Sequence, residues 1–425
     1  MHITSTERKT LRDLAQRVAD IAADPVMAVR RAAWVAHNSL RSHYPMMLIF
    51  PEGSWQELLP EDRLASTGEQ ARNIERNLRR RIYTFEHFQD DTVAEREWGV
   101  GRHIKSSGWG LESRRVAATA ARGAWHFDPV IKVPADLKKL RHPEITVDEK
   151  GTAAEVAALQ DLFGDILEVK LAGVKHISYH LMNQYTAWRG LEEVMVDMYT
   201  EPAMLHAAMA FLEEGHHKVR KQYEALNLLA LNNDGTYQNS GGNSYTDELP
   251  APGCDPARVW PCDMWASAEA QEMALVSPEH HETFVMQYEK RLLAPFGLTG
   301  YGCCEDLSRK LDRVCTIPHI RRISIAPAAD VERSAAALKG GYILSWKPQP
   351  AHMVGAFNTG MIREYIRHAV RAAAANGCVL EMILKDTHTC ENHPERFDEW
   401  TRIAREVIRE EAGAPPAAGR PKRKR

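Results

Sequence analysis

Phe296–Glu305, F-G-L-T-G-Y-G-C-C-E, is the stretch from which the rest of the chain is read. Leu298, Thr299 and Tyr301 are interleaved with glycine. Two adjacent thiols, Cys303 and Cys304, come next, followed by the carboxylate of Glu305 and the amphipathic run Leu307–Val314. An apolar segment that ends in polar side chains just where a helix begins is the pattern of a buried strand presenting chemistry at its carboxyl end. Neighbouring thiolates beside an acid can bind a soft or borderline metal such as Zn2+. The competing reading packs one cysteine as a small hydrophobe and leaves the other idle, as free cysteines often are. The flanking glycines and acid favour a site.

The surrounding sequence repeats the theme. Ile320–Ile325, Tyr342–Trp346 and Val379–Leu384 read as strands, each followed by a helical pattern: Ala329–Leu338, Thr359–Ala375 and Arg396–Glu411. Upstream, Ser277 caps a helix that has Pro278 at its first position. Ile166–Lys175, His176–Met182 and Leu226–Leu231 are strand-like, and Val194–Glu201 and Pro202–Tyr223 are helical. Tyr237–Cys262 is a long loop rich in Gly, Asn, Asp and Pro, and loops of that length inside a compact domain are usually functional or disordered. Short strands alternating with helices predict βα units and a parallel sheet. Strand exits carrying Asp234, Cys303–Glu305, Lys347 and Lys385–His388 predict an α/β fold, a (β/α)8 TIM barrel whose active end is its carboxyl-terminal face.

Before the barrel, Thr6–Ser42 reads as helices broken at Asp24-Pro25, and Met46–Phe50 as a strand running into P-E-G-S-W. Thr67–Gln89 is a helix with five arginines, either a solvated face or a grip for an anion. Val93–Asp128, with Trp98, His103, Trp109, Trp125 and His126 among glycines, either covers a pocket or packs on the core. The expected organisation is an N-terminal helical extension with pocket-covering loops over 1–130, the barrel over 131–411, and a disordered basic tail over 412–425 ending R-P-K-R-K-R.

Composition narrows the functional classes. The chain has 425 residues, 44% of them hydrophobic and 26% charged, which is ordinary for a soluble globular protein. Its 54 basic against 57 acidic residues give a net charge of −3, so no global field points to nucleic acid or an anionic membrane. No apolar run approaches the roughly 20 residues of a spanning helix, and Met1–Thr10 lacks the apolar region of a signal peptide. Seven cysteines, an odd number, do not suggest a disulfide framework, and a reducing cytoplasm is the expected compartment.

Taken together, S-P at Ser277–Pro278, Y-G-C-C-E at Tyr301–Glu305, R-R-I-S-I-A-P-A-A-D-V at Arg321–Val331, S-W-K-P at Ser345–Pro348, and L-K-D-T-H-T with P-E-R at Leu384–Arg396 resemble the uroporphyrinogen decarboxylase superfamily. Within it, the likeness is to the corrinoid-linked methyltransferases, and N-N-D at Asn232–Asp234 falls where that family has an acid after a strand. It spans roughly residues 165–410 as an ordered set of elements with patchy motifs. Two departures matter. Tyr44–Trp55 carries no arginine where the decarboxylase proper grips propionates, which argues against porphyrinogen decarboxylation. The family's zinc slots hold Tyr301 and Cys303, with Glu381, Lys385 or Asp386 in place of the last cysteine, so a metal site would be remodelled.

The resemblance implies an enzyme that moves a methyl group from a small O-, N- or S-methylated substrate to a corrinoid (cobalamin), free or on a corrinoid protein. The alternative is a metal-independent decarboxylase or lyase acting on a small carboxylated or aromatic substrate. Cys303, Cys304 and Asp386 are the expected metal ligands, with zinc the expected ion. Asp234, Glu305 and Asp386 are the expected catalytic acids, and His180, Tyr301, Lys347 and His388 the expected substrate contacts. A homodimer is a further expectation. His216-His217 and His280-His281 are expected on the surface, and the H-x-C-x-x-H run at His388–His393 matches no established metal spacing.

Overall fold

Seven parallel strands form the main sheet of the computed structural model, which describes residues 3–116, 126–238 and 241–413. In chain order they are β1 (Met46–Ile49), β2 (Ser178–Tyr179), β3 (Trp265–Ala268), β4 (Leu298–Tyr301), β5 (Ile320–Ile325), β6 (Ile343–Trp346) and β7 (Val379–Leu384). The spatial order is β1-β7-β6-β5-β4-β3-β2, so from β2 to β7 each strand lies beside its successor and β1 joins the far side of β7. Among the described residues the sheet is open, with β1 and β2 at its edges. The fold is therefore mixed α/β with a parallel sheet. Trp125 and the basic run Arg420–Arg425 lie outside the described residues.

Alternation along the strands sorts their side chains onto two faces. One face carries Ala266, Ala268, Tyr301, Ile323, Ile325, Leu344, Trp346, Leu380 and Met382, all part of the main hydrophobic core. The other carries Ser267, Arg322, Ser324, Ser345 and Glu381, all fully buried. Register lines these up across strands: Ser178 with Ser267, Ser267 with Gly300, and Ser324 with Ser345, which pairs in turn with Glu381. A sheet buried on both faces normally reads as unbroken apolar runs. Here one face is built for polar contacts.

Two elements cover that polar face. Helix Pro25–Asn38, capped by Asp24 with Pro25 at its first position, brings in His37 and Asn38. The segment 241–249 brings in Gly241, Gly242, Asn243 and Ser244. Arg322 lies 3.0 Å from Glu381 Oε1 through Nε, and donates from Nη2 to Asn38 Oδ1 at 2.6 Å and to the Asn243 carbonyl at 3.0 Å. His37 Nε2 is 3.2 Å from Glu381 Oε2, and the Arg322 guanidinium lies over the Trp265 ring at 5.1 Å.

The sheet edge at β1 is closed by side chains. Asp91 donates its amide to the Met47 carbonyl at 2.8 Å and accepts the Met47 amide at 2.8 Å, while Asp90 accepts the Ile49 amide at 3.2 Å. These carboxylates satisfy donors that an adjacent strand would otherwise pair. Burial pushes Asp90 up to about 6.

Sequence expectations held for most helices and only in part for three strands. Within 166–175, Glu168–Ala172 pairs with Glu97–Gly101 in a separate two-stranded sheet. Of His176–Met182 only Ser178–Tyr179 is strand, because the helix Leu181–Arg189 begins at once. Leu226–Leu231 contributes a single bridge, Leu229 with Val174. Conversely, Trp265–Ala268, too short and alanine-rich to be read as a strand, lies inside the sheet between β2 and β4. A second core joins Leu11, Val18, Ile74 and Leu78 of the first helices to Leu159, Leu162 and Phe163. Helix Glu149–Phe163 thus packs with the amino-terminal layer, beyond residue 130. No helix among the described residues is long and apolar enough to cross a membrane.

Candidate functional site

The carboxyl ends of six strands converge. β1 leads to Glu52, β2 to His180, β3 to Glu269, β4 to Cys303 and Cys304, β6 to Lys347, and β7 to Lys385 and Asp386. Parallel strands place all their exits on one edge of the sheet, which is why residues far apart in sequence meet there. Cys304 Sγ donates to Asp386 Oδ2 at 3.6 Å, across 82 residues. Cys303 and Cys304 have their sulfurs 3.6 Å apart. Lys385 Nζ is 3.4 Å from Cys303 Sγ and 3.8 Å from Asp386 Oδ1. Glu269 Oε1 is 2.6 Å from His180 Nδ1 and accepts from Gln271 at 2.9 Å.

Backbone geometry at the exits is strained. Asp386 has φ 59° and Glu52 φ 50°, both in the left-handed region, and the Asp386 amide donates to Glu52 Oε2 at 3.0 Å. Non-glycine residues held there cost of order 1–3 kcal/mol each and cluster at functional sites. Gly302, at φ 87°, turns the chain between β4 and the thiols.

The two sulfurs titrate as a unit. Cys303 is raised by its hydrogen bond with Cys304 and by burial, and Cys304 is lowered by the same bond. Burial lowers Lys347 to about 8. Burial opposes the charge on Lys385, but Tyr237, Cys303 and Asp386 raise it. Glu52 is raised by burial and by Asp386. Glu269 resists burial because its bond with His180 lowers it. The exposed, lowered thiol should therefore react first. At neutral pH, iodoacetamide is expected to modify Cys304 roughly tenfold faster than exposed Cys262, whose thiol burial raises. Lys385→Met should slow Cys304, as followed by peptide mapping over time.

The other expected site residues are placed as follows. Glu305 is buried and accepts the amides of Cys303 at 2.8 Å and Ala270 at 3.2 Å, so it braces the thiol loop against the β3 exit. Tyr301 is on the apolar face, fully buried, its hydroxyl donating to Glu289 at 2.8 Å and lying 2.9 Å from His281 Nε2. His281 is thus a core residue, lowered by burial to about 3, and not the surface histidine expected. Asp234 pairs with Lys175 at 2.7 Å in a cleft of about 740 Å³ that none of the thiol cluster lines. His388 is exposed beside the backbone of Gly53. Lys347 is buried and donates to Ser345 Oγ at 3.1 Å.

Sequence reading missed Glu269, because β3 was not recognised, and Glu52, which lies in the expected loop after β1. As arranged, the donors fall short of a zinc centre. Among the described residues no group of three or more His, Cys, Asp or Glu side chains can hold a metal ion. The ammonium of Lys385 also lies against the thiols and Asp386, where a cation would compete with it. Compared with known proteins, the chain matches no family model and no curated sequence.

Proposed function

We propose that the chain is an enzyme of the uroporphyrinogen decarboxylase superfamily that transfers a methyl group from a small O-, N- or S-methylated substrate to a corrinoid supplied from outside. In this reading the sheet is that superfamily's (β/α)8 barrel, with Asp90-Asp91 and the segment around Tyr237 standing where its closing strand pairs would be. The observation that carries it is the meeting of the β4 and β7 exits, Cys304 Sγ against Asp386 Oδ2 at 3.6 Å, beside the His180–Glu269 pair.

A methyl group on a heteroatom leaves only when that atom's developing negative charge is neutralised. His180, oriented by Glu269, donates the proton to the leaving atom. Lys385 and Lys347 hold anionic parts of the substrate, and Asp386 lines the entrance. A corrinoid, when bound, supplies a reduced cobalt able to take the methyl group. Exposed Cys304 and one-third-exposed Asp386 leave the mouth open to such an acceptor.

The test incubates the protein with reduced corrinoid and a panel of methoxylated and methylated compounds while following the corrinoid's visible spectrum. The expected result is methylation with at least one compound, and His180→Ala or Glu269→Gln should reduce kcat about 10²-fold with little change in KM. Metal analysis belongs beside it: stoichiometric zinc would reassign Cys303, Cys304 and Asp386 as ligands. A second reading, decarboxylation or lyase chemistry, is favoured by buried Lys347, whose ammonium suits a substrate carboxylate. CO2 release from a carboxylated panel without corrinoid methylation would select it.

A further inference from the structure

We infer that Cys303 and Cys304 form a reversible oxidative modification site, closing to a disulfide between adjacent residues on exposure to a peroxide. The geometry separates their roles. Cys304 is exposed and faces the mouth, whereas Cys303 is 8% exposed and lies behind it. Their sulfurs are 3.6 Å apart, and Lys385 Nζ at 3.4 Å from Cys303 Sγ supplies a cation that favours a thiolate in the pair. Of the other five cysteines, Cys378 and Cys390 are buried and donate to the Ala335 carbonyl and to Glu57.

The chemistry balances with a peroxide as the oxidant. The Cys304 thiolate attacks one peroxide oxygen, the O–O bond breaks, and the departing hydroxide takes up a proton to become water, leaving a sulfenic acid. Cys303 then attacks Cys304 Sγ, the S–O bond breaks, and the hydroxyl leaves as water with the Cys303 thiol proton. In sum, two thiols and hydrogen peroxide give one disulfide and two waters. Closure requires the sulfurs to approach to about 2.05 Å. The turn at Gly302 and the non-helical loop that follows it supply the freedom to move.

Adjacent residues joined by a trans peptide have Cα atoms about 3.8 Å apart, shorter than the roughly 4.4–6.8 Å that relaxed disulfides span. The bridge is therefore strained, and strained bridges are the readily reduced, regulatory kind. Oxidation removes the thiolate of the pair beside Lys385 and changes the charge at the mouth. Only this last consequence, on activity, rests on the proposed methyl transfer.

The experiment treats the full-length protein with hydrogen peroxide, quenches with acid, blocks remaining thiols and maps peptides by mass. The expected product is a Cys303–Cys304 peptide lacking two hydrogens, formed roughly tenfold faster than Cys262 is oxidised and fully reversed by dithiothreitol. Cys303→Ser should leave Cys304 as a sulfenic acid that dimedone traps, and Cys304→Ser should abolish trapping at 303. Phenylarsine oxide, which bridges two close thiols, should protect the wild-type pair and tests the geometry without any variant. A pair that stays reduced, or Cys304 passing directly to sulfinic acid with Cys303 intact, would overturn the inference. Loss of the disulfide reading leaves the corrinoid assay unaffected, and a failed corrinoid assay leaves the mass result standing.

Discussion

Arg322→Met is expected to lower the unfolding free energy by about 3–5 kcal/mol, as read by urea denaturation. Arg322 is fully buried, and its partner Glu381 is equally inaccessible. Removing the guanidinium leaves a carboxylate in the interior with His37 as its nearest cation-forming neighbour, and an uncompensated buried charge is the costly outcome. Exposed ion pairs on the surface helices, such as Lys9–Asp13, contribute about 0–1 kcal/mol, so this single pair outweighs several of them. Arg322→Met combined with Glu381→Leu should recover most of the loss, because the two charges are then removed together. A single variant as stable as wild type would show that the pair is dispensable.

The same network sets the acid limb of the stability curve. Burial raises Glu381, but the charge of Arg322 and the bond with His37 outweigh it and bring the carboxyl down to about 2. A depressed carboxyl stabilises the fold above its unfolded value of about 4.3, and that contribution is lost as pH falls from there towards the folded value. Burial also lowers His37, which stays neutral in the fold and takes up a proton on unfolding below about pH 6.5, so it acts in the same direction. Stability should fall from near neutrality downward, and Arg322→Met should flatten the lower part of that fall.

Gly241→Ala is expected to cost about 3 kcal/mol or more, from overpacking together with backbone strain. Gly241 has φ 134°, and a Cβ there would stand 1.8 Å from Ser345 Oγ and 2.6 Å from Glu381 Oε1. Neither neighbour can retreat, because Ser345 is on a central strand and Glu381 is held by Arg322. Gly253→Ala is the control: its φ is 85°, but no atom lies within 4 Å of the added carbon, so only strain of about 1 kcal/mol applies. Equal melting temperatures for the two variants would mean that the 241–242 turn is not seated against the sheet.

Much of the frame was legible in the sequence because it depends on local rules. Ser277-Pro278 and Asp24-Pro25 start helices, since a capping side chain and a proline need no distant partner. β5, β6 and β7 showed as apolar runs with helices between them. The exits of β4, β6 and β7 could also be named, since a polar cluster after an apolar run marks a strand end wherever the strand goes. β3 escaped because W-A-S-A has neither β-branched residues nor length; its strand character comes from pairing with β2 and β4.

The sequence by itself determined the parallel α/β character, the thiol pair, and Asp386 as the acid at the last exit. Tertiary structure alone decided which of the candidates share a space. It brought Cys304 to Asp386, sent Tyr301 to the apolar face, left Asp234 in a separate cleft, and supplied Glu269 as the partner of His180. The reason is geometric: the period of two along a strand fixes which face a side chain takes, but only the order and register of strands fix who stands opposite.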